Sequence, residues 1–232
     1  MPEIFVGTSG WLYDWNLGSS LDWYAEFSGL NAVELNASFY RFPYKNQVIG
    51  WLRRGGKLRW SIKVHRSITH TSKMGGRALD TWFRFYELFK PLEESIDFFL
   101  FQLPPNFSCR GELLDRVGVF YEESGLKQRF AVEFRHPSCF TEEVVLWGRD
   151  LGLTLVSVDS PIISWVVKTN ANVYLRLHGR EVWYAYEYGR GELEELARKV
   201  ISLNPERIYV FFNNDHWMLE NARVMLSILK TF

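Results

Sequence analysis

Ala131-Val132-Glu133-Phe134-Arg135-His136-Pro137 is the stretch on which the reading of this chain turns. Taken as a β-strand it alternates, because successive side chains point to opposite faces. Val132 and Phe134 then share one face, and Ala131, Glu133 and Arg135 share the other. A carboxylate and a guanidinium on one face, at the carboxyl end of a strand, are costly to bury unless they are paired or used.

Other apolar runs end the same way. Strands are expected at Ile4–Gly7, Ala32–Asn36, Leu58–Val64, Asp97–Leu103, Leu153–Val158, Asn172–Leu177 and Ile208–Phe212, besides the opening one. Alternation places Glu34 with Asn36, Ser61 with Lys63 and His65, and Tyr174 with Arg176 and His178. Gln102, Asp159 and Asn213-Asn214 close three further strands, and Glu34, Asn36, Lys63, His65, Gln102, Glu133, Arg135, Asp159, Arg176, His178 and Asn213 are expected to face inward at the strands' carboxyl ends. Helical periodicity falls between them at Leu21–Phe27, Asn46–Arg54, Asp80–Phe89, Glu112–Ser124, Glu142–Leu151, Glu192–Leu203 and Met218–Leu229. Strands alternating with helices mean a parallel sheet with helical crossovers, and eight such units close a (β/α)8 TIM-barrel-like fold. The connection after the sixth strand reads as irregular. No Gly-x-Gly-x-x-Gly follows the first strand, as a doubly wound sheet binding a dinucleotide would have.

Composition agrees with one large domain over residues 1–232. Hydrophobic residues make up 47% of the chain and aromatics 17%, enough for a large core, and the formal net charge is +0, which gives whole-chain electrostatics no preference for nucleic acid or membrane. Two cysteines, Cys109 and Cys139, are too few for a disulfide framework; Cys139 reads as a packed thiol and the expected compartment is reducing, that is, cytoplasmic. No basic-then-apolar leader precedes Ile4, and no apolar run has the length of a membrane span.

Seven ordered motifs carry a resemblance over nearly the whole chain. They are Gly7-Thr8-Ser9-Gly10-Trp11, Val33 to Tyr40, Lys63 with Ile68-Thr69-His70, Gln102 to Phe107, Val132 to His136, Tyr174 to Gly179 and Tyr209 to Asn214. In these the chain resembles the DUF72 (YecE-like) family of uncharacterised proteins, which implies a TIM-barrel-like fold and brings no settled activity. It departs from the family pattern at Cys139-Phe140, where a Trp is usual, and in a shortened Trp15–Leu21 loop without the usual Phe-Tyr-Pro.

Barrel enzymes work at the carboxyl ends of their strands, so the expected site is there. Catalytic candidates are Glu34, Lys63, Glu133, Asp159 and His178. Neighbouring carboxylates push each other's pKa apart to give acid and base, a lysine among cations becomes a base or Schiff-base nucleophile, and histidine relays protons. Substrate-binding candidates are Asn36, Tyr40, His70, Gln102, Arg135, His136, Arg176, Asn213 and Asn214. The arginines suit a carboxylate or phosphate, and the amides suit hydroxyls. The reading is an enzyme using acid–base chemistry on a small polar anionic molecule, such as a phosphorylated sugar or nucleotide fragment. Hydrolase, isomerase and lyase chemistry are not separated. The competing expectation is that the inward charges only neutralise one another. No cofactor is expected; Glu34, Glu133, Asp159 and His178 would hold a divalent metal only if the fold converged them, and no metal-ligand spacing is present.

A second reading comes from residues 41–77, which hold Arg41, Lys45, Arg53, Arg54, Lys57, Arg59, Lys63, Arg66, Lys73 and Arg77 and no Asp or Glu. Tyr40, Phe42, Tyr44, Trp51 and Trp60 are interleaved. Cations with stacking rings are what a nucleic-acid surface uses, while a solvated helix face would account for Arg53, Arg54 and Lys57.

Overall fold

Runs of β-branched and aromatic residues a few positions long suit strands that are buried on both faces. The computed structural model, which describes residues 1–232, forms them as β1 (Glu3–Ser9), β2 (Ala32–Leu35), β3 (Arg59–Lys63), β4 (Ile96–Gln102), β5 (Phe130–Glu133), β6 (Thr154–Asp159), β7 (Ser164–Trp165), β8 (Asn172–Leu177) and β9 (Arg207–Phe212). Neighbours pair in parallel in the order β1, β2, β3, β4, β5, β6, β8, β9, and β9 returns to β1. The result is a closed eight-stranded parallel barrel, the TIM-barrel fold expected from the sequence. Its weakest seam joins β5 to β6 through only Ala131↔Thr154 and Val132↔Leu155.

Helices α1 (Leu21–Phe27), α2 (Lys45–Gly55), α3 (Ala78–Phe89), α4 (Glu112–Ser124), α5 (Glu142–Leu151), α6 (Arg190–Ser202) and α7 (Met218–Leu229) connect the strands. Local chemistry sets their limits. Ser20 and Thr141 accept the backbone N–H groups of Trp23 and Val144 at the N-caps, and Gly125 and Gly152 end α4 and α5 in the left-handed conformation. No helix follows β6. Its connection turns back as β7, antiparallel to β6, which is the irregularity the sequence suggested.

Apolar residues fill two separate regions. A cluster of 52 buried residues lies between barrel and helices, whereas only 9 fill the barrel itself: Ala32, Phe98, Leu100, Ala131, Val156, Val158, Tyr174, Tyr209 and Phe211. Above that layer, toward the strands' carboxyl ends, the interior is polar. Gly7 permits the close approach of β1 to β2, since a Cβ there would meet the Ala32 carbonyl oxygen at 2.2 Å.

Two expectations are corrected here. Asp159 does not face inward. Val156 and Val158 take the inner face of β6, so alternation sends Asp159 outward, where its Oδ2 accepts from Arg180 Nε at 3.1 Å. Every residue of β6 is buried, so no pattern of exposed residues marked which parity pointed in. Cys139 is not a free packed thiol either: it is disulfide-bonded to Cys109, with Cα atoms 5.0 Å apart. The loops after adjacent strands β4 and β5 meet over one sector of the rim, which 30 residues of sequence separation concealed. The cysteine argument for a reducing compartment therefore falls. No helix is long and apolar enough to cross a membrane.

Candidate functional site

The polar interior is built in two tiers. In the lower tier Arg176 of β8 donates through Nη2 to Glu34 Oε1 at 2.6 Å and through Nη1 to Glu133 Oε2. Tyr174 and Ser9 each donate to Glu34 at 2.6 Å, and Ser61, whose oxygen lies 2.7 Å from the Tyr174 hydroxyl, completes the chain as donor to it. Glu34, Glu133 and Arg176 are wholly buried. Burial opposes ionisation of Glu133, but Arg135 and Arg176 outweigh it and hold the carboxyl well below its usual range. Burial likewise opposes the charge on Arg176, and Glu133 and Glu34 reverse the shift upward. This tier is a buried ion cluster in which Glu133 stays charged, with Arg176 Nε left without a hydrogen-bond partner.

Arg135 links it to the upper tier. Its Nε meets Glu133 Oε1, its Nη2 lies 3.1 Å from His178 Nε2, and its guanidinium rests 4.6 Å above the Trp183 ring. Burial first, then Arg135, keeps the His178 pKa well below normal, so the ring is neutral with a single N–H. Arg135 has no lone pair, so Nε2 must accept from it and Nδ1 must carry the hydrogen. The Asn213 amide, 3.3 Å from Nδ1, then has to turn its oxygen toward the ring.

Lys63 ends β3 differently. Its side chain is 8% exposed, yet Nζ has no hydrogen bond and no carboxylate partner, and sits 4.5 Å above the Phe39 ring. Burial, then Arg176, pushes its pKa down to about 7. The other side of Phe39's surroundings is taken by His70, whose ring meets it edge-on at 4.9 Å. His70 lies in a π-helical turn, Ser67–Thr71, and burial followed by Lys63 and Arg135 lowers it to about 4.

Two clefts open at this rim. One, of about 180 Å³, is lined by Ser9, Gly10, Trp11, Tyr13 and Asn36 among others. The other, of about 300 Å³, is lined by Gln102, Pro105, Arg135, Ile162, Trp183 and Tyr184. The strands that end at Asn36 and Gln102 flank β3, so Lys63 lies between the clefts. Asn36 Oδ1 is buried with no partner.

Comparison with known proteins fits this architecture. The family model described as "Protein of unknown function DUF72" matches residues 5–231. The chain belongs to the DUF72 family. A DUF72 family protein from Thermotoga maritima MSB8 is 28% identical over 99% of this chain and 98% of its own, with a TM-score of 0.83. Another from Enterococcus faecalis V583 is 24% identical over 98% and 95%, with a TM-score of 0.84. More distantly, a D-psicose 3-epimerase from Clostridium cellulolyticum H10 shares the barrel at 10% identity, 98% coverage of both chains and a TM-score of 0.62. No curated protein matches the chain.

In this DUF72 protein the remaining candidates separate. Gln102, Arg135 and Asn36 line the clefts, and Asn213 stands behind His178. Asn214 points away from the mouth, its Nδ2 donating to Tyr186 O and Asn221 Oδ1. His136 caps the turn Pro137–Cys139 by accepting from Ser138 N. Tyr40 lies exposed against Phe39. Glu34, Glu133, Asp159 and His178 do not converge as a metal site, because Asp159 is on the outer face, and no group of three or more His, Cys, Asp or Glu side chains has metal-binding geometry. Trp183 was not singled out by sequence reasoning. Its only signal was the aromatic loop Gly179–Gly191, whose fold over the mouth depends on the Tyr184 N–H bonding to the His178 carbonyl.

The basic segment divides: Arg41, Lys45, Arg53, Lys57, Arg66 and Arg77 are exposed, while other members are bound into the fold. Trp60 and Trp51 stack in the core, Arg59 pairs with Asp97 at the opposite barrel end, Arg54 pairs with Asp22, and Lys63 is in the mouth. Of the interleaved rings, Tyr40 and Tyr44 are the exposed ones.

Proposed function

We propose that this DUF72 protein is an enzyme that binds a small polar anionic molecule, of the phosphorylated-sugar kind, at the carboxyl ends of the barrel strands. One observation carries the reading: Arg176 and Arg135 together balance Glu34 and Glu133, which leaves Lys63 at the rim without a carboxylate, near a cleft that the Arg135 guanidinium also lines. Cations without surplus carboxylates favour an anion, and Gln102 together with the unpartnered Asn36 oxygen favours hydroxyls.

The division of labour differs from a two-carboxylate mechanism. Glu34 and Glu133 are sealed and hydrogen-bonded, so they fix Arg176 and Arg135 in place. Lys63, lowered to about 7 and partly accessible, is the group suited to moving protons at neutral pH, whereas His70, lowered to about 4, stays a neutral ring there.

The test is a titration followed by isothermal calorimetry, with ribose 5-phosphate, ribose and a single-stranded oligonucleotide as ligands. The phosphorylated sugar is expected to bind, ribose at least tenfold more weakly, and Arg135→Gln to cost at least tenfold for the phosphate ester only. Equal binding of ribose and its phosphate, or no effect of Arg135→Gln, refutes the reading. Oligonucleotide binding that falls steeply with salt would replace it with the nucleic-acid one.

A further inference from the structure

Lys63 is the one inward ion in the mouth that the ion cluster does not use. A lysine kept for structure pairs its ammonium with a carboxylate, because an unpaired buried charge is costly. The two nearest carboxylates are already committed: Glu34 to Arg176, Tyr174 and Ser9, and Glu133 to Arg176 and Arg135. Nζ makes no hydrogen bond, yet it is not among the sealed polar atoms, so it is reachable from the rim. Phe39 carries both this amine and the His70 ring on its surface, at 4.5 and 4.9 Å. Across β4, Arg135 faces the larger cleft.

Resting on the anion-binding reading above, we propose that Lys63 is a nucleophile that forms a Schiff base with the aldehyde or ketone of a small anionic carbonyl compound, whose charged end is held by Arg135. The neutral amine attacks the carbonyl carbon, a C–N bond forms and the C=O π pair moves to oxygen. Nitrogen gives up a proton and oxygen gains one, giving a carbinolamine. A second proton, taken up from solvent, reaches that hydroxyl, water leaves, and the nitrogen lone pair closes the C=N⁺ bond, which keeps that proton's charge. One water is released and no oxidant or reductant is consumed. His70, packed on the same Phe39 ring and neutral at this pH, takes no net proton, so those protons pass to and from solvent water at the rim. The depressed pKa of Lys63, about 7, leaves a large share of the amine unprotonated at neutral pH, which the attack requires.

The experiment uses the full chain with dihydroxyacetone phosphate and sodium borohydride, which reduces an imine to a stable secondary amine. Intact mass and peptide mapping locate the adduct. One equivalent on Lys63 is expected, with dihydroxyacetone needing at least tenfold higher concentration and both Lys63→Met and Lys63→Arg losing at least tenfold of the label. Glycerol 3-phosphate, which has the anion and no carbonyl, is titrated in parallel by isothermal calorimetry. If it binds in an Arg135-dependent way while borohydride leaves Lys63 unmodified, the Schiff base is refuted and the anion site survives. Absence of both binding and adduct refutes the anion reading and this proposal with it. Label spread over surface lysines and unchanged in Lys63→Met refutes the nucleophile.

Discussion

Arg176→Met is the sharpest perturbation of the barrel interior. Methionine nearly fills the volume and removes a guanidinium that contacts two wholly buried carboxylates. The loss is not doubled, because Glu133 keeps Arg135, and Glu34 keeps only the hydroxyls of Tyr174 and Ser9 at 2.6 Å. One stranded buried charge costs about 3–5 kcal/mol, which for a domain of this size lowers Tm by about 6–20 °C. Urea unfolding at pH 8 reads the change through the midpoint, with an unchanged slope certifying that the same surface unfolds. The double variant Glu34→Gln/Arg176→Met removes the stranded charge and leaves an amide oxygen able to accept from Tyr174 and Ser9. It should recover about 1–3 kcal/mol relative to the sum of the single changes. A loss under about 1 kcal/mol for Arg176→Met, or strict additivity in the double variant, would refute the account of the floor as an ion cluster whose members depend on one another.

Lys63→Met should shift stability the other way, with a defined pH dependence. The folded-state pKa of about 7 lies below the ordinary 10.5, so between those values the unfolded chain holds a proton that the folded one does not. Wild-type stability is therefore lost as pH falls from about 10.5 to 7, and the variant's advantage in urea midpoint should be larger at pH 6.5 than at pH 9.5; an equal gap at both would refute it. Reducing the Cys109–Cys139 disulfide, which closes a 30-residue separation, should cost about 3–4 kcal/mol, and identical melts with and without dithiothreitol would contradict that. Gly7→Ala drives a methyl into the Ala32 carbonyl oxygen and should destabilise by about 1–3 kcal/mol; an unchanged urea midpoint would show that β1 and β2 can part without cost.

Much of the barrel was legible because local rules fix it. The boundaries expected for Leu21–Phe27, Glu112–Ser124, Glu142–Leu151, Asn172–Leu177 and Met218–Leu229 are those of α1, α4, α5, β8 and α7, where a cap, a glycine stop or a clean run of apolar residues acts within a few positions. Parity also reached the interior at most polar strand ends, though not at His65, whose ring meets Phe42 in the layer between barrel and helices. Glu34, Lys63, Gln102, Glu133, Arg135, Arg176, His178 and Asn213 all stand toward the mouth. It failed at β6, whose two faces are both buried and so give alternation nothing to distinguish.

The linear chain determined which residues alternate, where helices start and stop, and that charges would be buried at strand ends, because these depend on neighbours two to four positions away. Only the closed barrel decided what those charges are for. Arg176 meets Glu34 from 142 positions away and Glu133 from 43, and that pairing is what leaves Lys63 without a partner. Charge neutralisation is a property of distances through space, which the order of residues does not contain until the last strand closes on the first.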